Sequence, residues 1–170
     1  MVIDAVKVST QEKVYVVGMG EIVVSKLPNA VLTCIGLGSC VAVCAYDEIA
    51  KAGGMVHVVL PWTTGIVSNR AKYAATAVPL LIEEVEKIGG RRVQLSIKIV
   101  GGAQMIGLQG IKDTFSTGEK NVTQVMTEIE KAKVKLAASD TGGNVGRTVR
   151  MYLDTGRITI KTISGPIKEI

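Results

Sequence analysis

Residues 30–46 pass 17 positions without a charged side chain, and glycine breaks the run near its middle. A run of that length stands at the lower edge of what spans a bilayer as a helix. Gly36, Gly38 and Ser39 interrupt it, and β-branched residues crowd both halves. Two buried strands joined by a turn accommodate such a sequence better than a membrane helix does. The core has to come from Val, Ile, Leu and Ala, because aromatic residues make up only 4% of the chain.

Composition narrows the classes further. With 47% hydrophobic and 21% charged residues the chain is globular. Its 170 residues suit a single domain over 1–170 that buries a core without disulfides or metals. The net charge of +5 comes from scattered residues such as Arg91, Arg92, Lys131, Lys133 and Lys135. One Phe, one Trp and four Tyr leave little for base stacking, so a solvated basic surface is expected and not a nucleic-acid groove. Three cysteines, an odd number, and no recognisable signal peptide point to a reducing cytoplasm.

Punctuation divides the chain into elements. Residues 14–17 and 31–35 read as strands on either side of Pro28-Asn29. Residues 41–46 and 54–60 form a pair around a turn at 47–53, which puts His57 in the strand beside the one that starts after Cys40. A helix is expected over 70–88, capped by Ser68 or Asn69, kinked at Pro79 and stopped by Gly89-Gly90. Val93, Leu95, Ile97 and Ile99 alternate as a half-buried strand. A second helix is expected over 118–133, with Val122, Val125, Met126 and Ile129 as its buried stripe. Residues 135–139, 147–153 and 157–163 read as strands, the last two a hairpin across Asp154-Thr155-Gly156. Seven or eight strands and two main helices predict a layered α/β (α+β) fold with helices packed on largely antiparallel sheets.

The chemistry-bearing residues cluster around the glycine turn. Gly36-Leu37-Gly38-Ser39-Cys40 ends in a thiol, and 17 residues later comes His57, the only histidine. A thiol on a tight turn and an imidazole able to take its proton are the minimum for thiol-based acyl transfer. The imidazole is expected to favour the thiolate. Glycines let the backbone aim N–H groups at a developing oxyanion, with Gly38 and Ser39 the candidates. Gly101 and Gly102 close a strand and allow close backbone approach to a substrate. Other readings fit less well. Cys34, Cys40, Cys44 and His57 lack the paired spacing of a zinc knuckle, so no metal is expected. Gly36-x-Gly38 is followed by strand-like Val41-Ala42-Val43, not by the helix a dinucleotide needs. Asp140-Thr141-Gly142 and Asp154-Thr155-Gly156 do not make an aspartic dyad, because the second has the composition of a hairpin turn.

Five motifs in register resemble the CheD family, the chemoreceptor glutamine deamidases. They are the Gly36–Cys40 turn, His57 after it, Gly101-Gly102-Ala103-x-Met105, Gly118-x-x-Asn121, and Asp140-Thr141-Gly142-Gly143 with Arg147. The resemblance runs from Gly18-Met19-Gly20-Glu21 to the end of the chain. It implies a three-layer sandwich and hydrolysis of receptor glutamine side chains to glutamate with release of ammonia, without a cofactor. It implies Cys40 as nucleophile and His57 as its acid–base partner. It also implies methyl-accepting chemotaxis receptors as substrates and the phosphatase CheC as a partner, with phosphorylated CheY acting on that association. The family's third catalytic residue is a threonine six positions before the nucleophile. Here that position is Cys34, and threonine comes one earlier, at Thr33. Two neighbours on a strand face opposite ways, so either Cys34 orients His57 or a local bulge presents Thr33. Ile106 stands where the family usually has Phe. Two other classes remain open at this point: a different thiol acyl-transfer enzyme, and a non-enzymatic module that binds CheC and receptors.

Overall fold

The structure, a computed structural model, describes residues 11–104 and 117–170. The uncharged run becomes two strands, β3 (Ala30–Leu37) and β4 (Val41–Asp47), as its glycines predict. They do not pair with each other. β3 joins β1 (Lys13–Val16), β8 (Arg147–Tyr152), β9 (Ile158–Lys161) and β10 (Lys168–Glu169) in one sheet, in the order β1-β3-β8-β9-β10. β4 is the middle strand of the other, with β2 (Ile22–Ser25), β5 (Ala52–Val58), β6 (Leu95–Gly101) and β7 (Lys135–Thr141) in the order β2-β5-β4-β6-β7. Pairing is antiparallel except for β1 with β3 and β6 with β7.

Two cores make this a three-layer α+β sandwich. Leu32, Cys34, Ala42, Cys44, Met55, Val149 and Met151 pack between the two sheets. Val41, Val43, Val56, Val58, Leu81, Ile82, Ile97 and Val125 pack between the second sheet and helices α1 (Ala74–Lys87) and α2 (Thr117–Ala132). Every residue of β4 and β5 is buried, which is why neither shows a polar and apolar alternation. Each large aliphatic side chain buried in these layers stabilises the fold by about 1.5–3 kcal/mol. Among the described residues no helix is long and apolar enough to cross a membrane.

Local differences from expectation have physical reasons. The 70–88 segment divides: Asn69 caps a short 3-10 turn at Arg70–Lys72, accepting Ala71 N–H at 2.9 Å, and the α-helix begins at Ala74. Pro79 lies inside α1. Gly89 takes the left-handed conformation at the helix end, its N–H donating to Glu86 O and that of Gly90 to Val85 O, a Schellman closure. Val93 is not in a strand; it sits exposed in a 3-10 turn before β6. On α2 the buried positions are Gly118, Asn121, Val125 and Ile129, so Met126 is exposed and a polar residue occupies the stripe. β2 and β10 escape sequence reading because they are short and show no period-2 pattern of burial. Met105 and Ile106 lie outside the described residues.

Asp47 ties the layers at one end. Its buried carboxylate accepts N–H groups of Ile49 and Ala50 in the β4–β5 turn and of Arg91 before β6, each at 2.9 Å. Asp47→Ala strands those donors and is expected to lower unfolding free energy by about 3 kcal/mol, read by urea denaturation.

Candidate active site

Cys40 occupies the junction of β3 and β4, one residue before β4. β3 loses register with β8 between Cys34 and Leu37, and Gly36 there has φ +67. This bulge swings the chain out of the first sheet and into the second. The carbonyls of the following turn are then held one by one. Gly38 O accepts Ala103 N–H at 2.8 Å, Ser39 O accepts Asn121 Nδ2 at 2.9 Å, and Cys40 O accepts Gly102 N–H at 2.8 Å. Gly101 and Gly102 both have positive φ, and a Cβ on Gly101 would run into the Cys40 carbonyl oxygen. A Cβ on Gly118 would meet Gly102 O at 2.7 Å, so α2 starts directly on this segment. Among the described residues the N–H groups of Ser39 and Cys40 donate to no protein acceptor. Gly101 and Gly102 therefore act on the turn, through its backbone.

The segment that holds the turn is itself held. Gly142 N–H donates to Gly101 O at 3.0 Å and Gln104 N–H to Gly143 O at 2.7 Å. Arg147 fixes that second glycine turn: its Nε donates to Asp140 at 2.8 Å, and its Nη1 to Gly142 O at 2.9 Å and to Val145 O at 3.2 Å. Asp140 thus works as the anchor of an arginine, and Asp154 sits apart in the β8–β9 turn.

His57 lies on β5 directly across from Ala42 of β4. Cys40 is two residues from Ala42, so the pleat puts both on the face toward the other sheet, and Cys40 packs on the inter-sheet core. His57 is 5% exposed. Its Nδ1 stands 3.1 Å from Val17 O. A carbonyl only accepts, so Nδ1 carries the proton and Nε2 is the basic nitrogen. Backbone bonds frame the ring: Gly20 N–H donates to His57 O at 2.9 Å and His57 N–H to Glu21 O at 3.0 Å.

Cys34 Sγ lies 3.5 Å from the same Val17 oxygen and 3.4 Å from Met55 Sδ. Thr33 faces the other side of the sheet, across from Arg150, and its buried Oγ1 has no partner among the described residues. The break in β3 comes after Cys34, so no bulge turns Thr33 inward. Thr33 contributes through its backbone instead, its carbonyl accepting Val17 N–H at 2.8 Å. Sequence reasoning missed Val17, because a backbone acceptor leaves no trace in residue type. It also missed the contact of Asn121, although the Gly118-x-x-Asn121 spacing was a signal. Among the described residues no group of three His, Cys, Asp or Glu side chains is placed to hold a metal ion.

Burial shapes the electrostatics. It pushes the Cys40 thiol above its ordinary range. It pushes the His57 imidazole below its ordinary value, against the Val17 hydrogen bond and the Glu21 charge. Cys34 is pushed up to about 12 by burial and by its nearness to Cys40, and burial raises Cys44 as well. Both shifts work against the expected thiolate and imidazolium, because burial leaves either charge poorly solvated. Iodoacetamide alkylation of Cys40 is therefore expected to accelerate through the alkaline range. A rate already level at neutral pH would show a resting thiolate instead.

Comparison with known proteins shows the family. The family model described as CheD chemotactic sensory transduction matches residues 59–162. A protein of Caldanaerobacter subterraneus subsp. tengcongensis named probable chemoreceptor glutamine deamidase CheD is 42% identical over 162 residues, covering 94% of this chain and 99% of its own. The chemoreceptor glutamine deamidase CheD of Thermotoga maritima is 42% identical over 159 residues, covering 91% and 98%. A probable CheD of the archaeon Pyrococcus abyssi is 40% identical over 152 residues, covering 88% and 91%. With similarity of that degree running nearly end to end, this chain belongs to the CheD family.

Proposed function

We propose that this protein is a chemoreceptor glutamine deamidase, a protein-glutamine glutaminase that uses Cys40 as nucleophile and His57 as acid and base. The observation that carries the reading is the His57 ring, whose Nδ1 bonds Val17 O and whose Nε2 is left basic on the face it shares with Cys40. The names of the relatives supply the substrate class.

The steps follow from the geometry. His57 Nε2 takes the Cys40 proton as sulfur attacks the side-chain carbonyl carbon of a receptor glutamine. The N–H groups of Ser39 and Cys40 receive the oxyanion. His57 returns the proton to the departing ammonia, leaving a thioester. His57 then deprotonates a water that attacks the thioester, and glutamate and free thiol result. The Val17 carbonyl steadies the imidazolium formed in each half-reaction, with Cys34 beside it in the position of the family's threonine. No cofactor enters any step.

A protein substrate needs an open mouth with apolar borders. Met19, Ile35, Trp62 and Ile66 are exposed on segments that flank the turn and the His57 strand. The same rim suits methyl-accepting receptors and an inhibitory CheC-type phosphatase, with phosphorylated CheY acting through CheC in a reducing cytoplasm. The test is intact-mass analysis of a cognate receptor, which should gain about 1 Da per converted glutamine as amide becomes acid. A protein that binds receptor or CheC yet yields neither ammonia nor a mass change is a binding module, and that outcome overturns the enzyme.

Two sets of variants check the roles. Cys40→Ala is expected to abolish the mass gain and Cys44→Ala to retain it, while His57→Ala loses about 10²–10⁴-fold in rate. For the third position, Cys34→Thr is expected to hold or raise turnover, Cys34→Ala to lower it and Thr33→Val to leave it unchanged. A loss confined to Thr33→Val would reverse the assignment.

A further inference from the structure

We infer that Asn121 is a positioning residue for the oxyanion donors of this site, a role that rests on the deamidase reading and deepens it. Asn121 is fully buried on α2, in the stripe where an apolar residue is expected. Its Nδ2 donates to two backbone oxygens, Ser39 O and Val59 O, both at 2.9 Å. Both partners only accept, which fixes the amide nitrogen as the atom facing them. Its Oδ1 is buried and has no partner among the described residues, so the side chain does not reach a full complement of bonds there.

What the two bonds accomplish follows from the planarity of the peptide group. In a trans peptide the C=O of one residue and the N–H of the next lie in one plane and point opposite ways. Holding Ser39 O toward α2 therefore aims Cys40 N–H away from α2. In the same manner the bond from Ala103 N–H to Gly38 O aims Ser39 N–H. Of the three bonds that hold the carbonyls of the turn, only that of Asn121 comes from a side chain. Its second bond grips Val59, two residues beyond His57, so one amide ties the thiol turn to the histidine strand.

The inference separates two reactions of the same thiol. Glutamine deamidation builds an oxyanion, whereas alkylation by iodoacetamide displaces iodide at a saturated carbon and builds none. Asn121→Ala is expected to lower kcat on a receptor fragment about 10–100-fold with KM nearly constant, approaching the loss seen when an oxyanion donor is removed. Cys40 alkylation should keep the parent rate and pH profile within about twofold, since thiol and imidazole are untouched. Asn121→Ser retains one donor and is expected to recover part of kcat, and it serves where the alanine variant does not fold. An active parent with unchanged kcat in both variants overturns the inference and leaves the deamidase reading standing. Alkylation falling in step with kcat overturns it too, because the amide would then act on the thiol pair or the fold. A parent that deamidates no cognate receptor overturns the deamidase reading, and this inference with it.

Discussion

The double burial of β4 is the constraint on which the rest of the structure depends. Val41, Val43 and Ala45 face the helices, while Ala42, Cys44 and Tyr46 face the other sheet. A strand covered on both sides and paired on both edges has no freedom to shift register, since a slip of one residue would exchange its two faces. The chain leaves that strand at a point where the layers end. Cys40, the residue just before it, is accordingly half-buried, its carbonyl held by Gly102 N–H.

Both departures from antiparallel pairing serve this site. Parallel neighbours require a crossover, and each crossover delivers something the turn needs. From β1 to β3 the chain passes through the other sheet, carrying Val17 to the His57 ring and Gly20 and Glu21 to its backbone. From β6 to β7 it passes through α2, carrying Asn121 over Ser39 and Val59. The ends of β6 and β7 then stand side by side, with Gly101 opposite Thr141, so that the Gly142 turn braces Gly101. The buried pair of Arg147 and Asp140 maintains that brace, and its desolvation is offset by the backbone carbonyls that share the guanidinium.

The electrostatics of the site are set by burial. Burial disfavours both the Cys40 thiolate and the His57 imidazolium. A single backbone carbonyl faces the imidazole, and a carbonyl is indifferent to side-chain identity. Cys34 shares that Val17 oxygen with His57. Thr33, one residue away, is excluded by the pleat alone.

Period and punctuation in the sequence were enough for most of the elements, for the layered α+β class and for the pairing of β4 with β5. They were also enough to put Cys40 and His57 on one face at neighbouring positions, because the residue before β4 and a histidine in the next strand share the pleat. The family was legible too, since five short motifs in order are far more specific than any one of them. Other features had no local signature. The separation of β3 and β4 into different sheets depends on which distant strands cover their edges. The identity of the group on His57 Nδ1 depends on a main-chain oxygen that every residue type possesses. The exposure of Met126 and the burial of Asn121 were decided by where α2 meets Gly102. Residue type and spacing thus determined the candidates, Cys40 and His57, while only the tertiary structure decided which backbone groups point at them, because peptide orientation is set by partners remote in the chain.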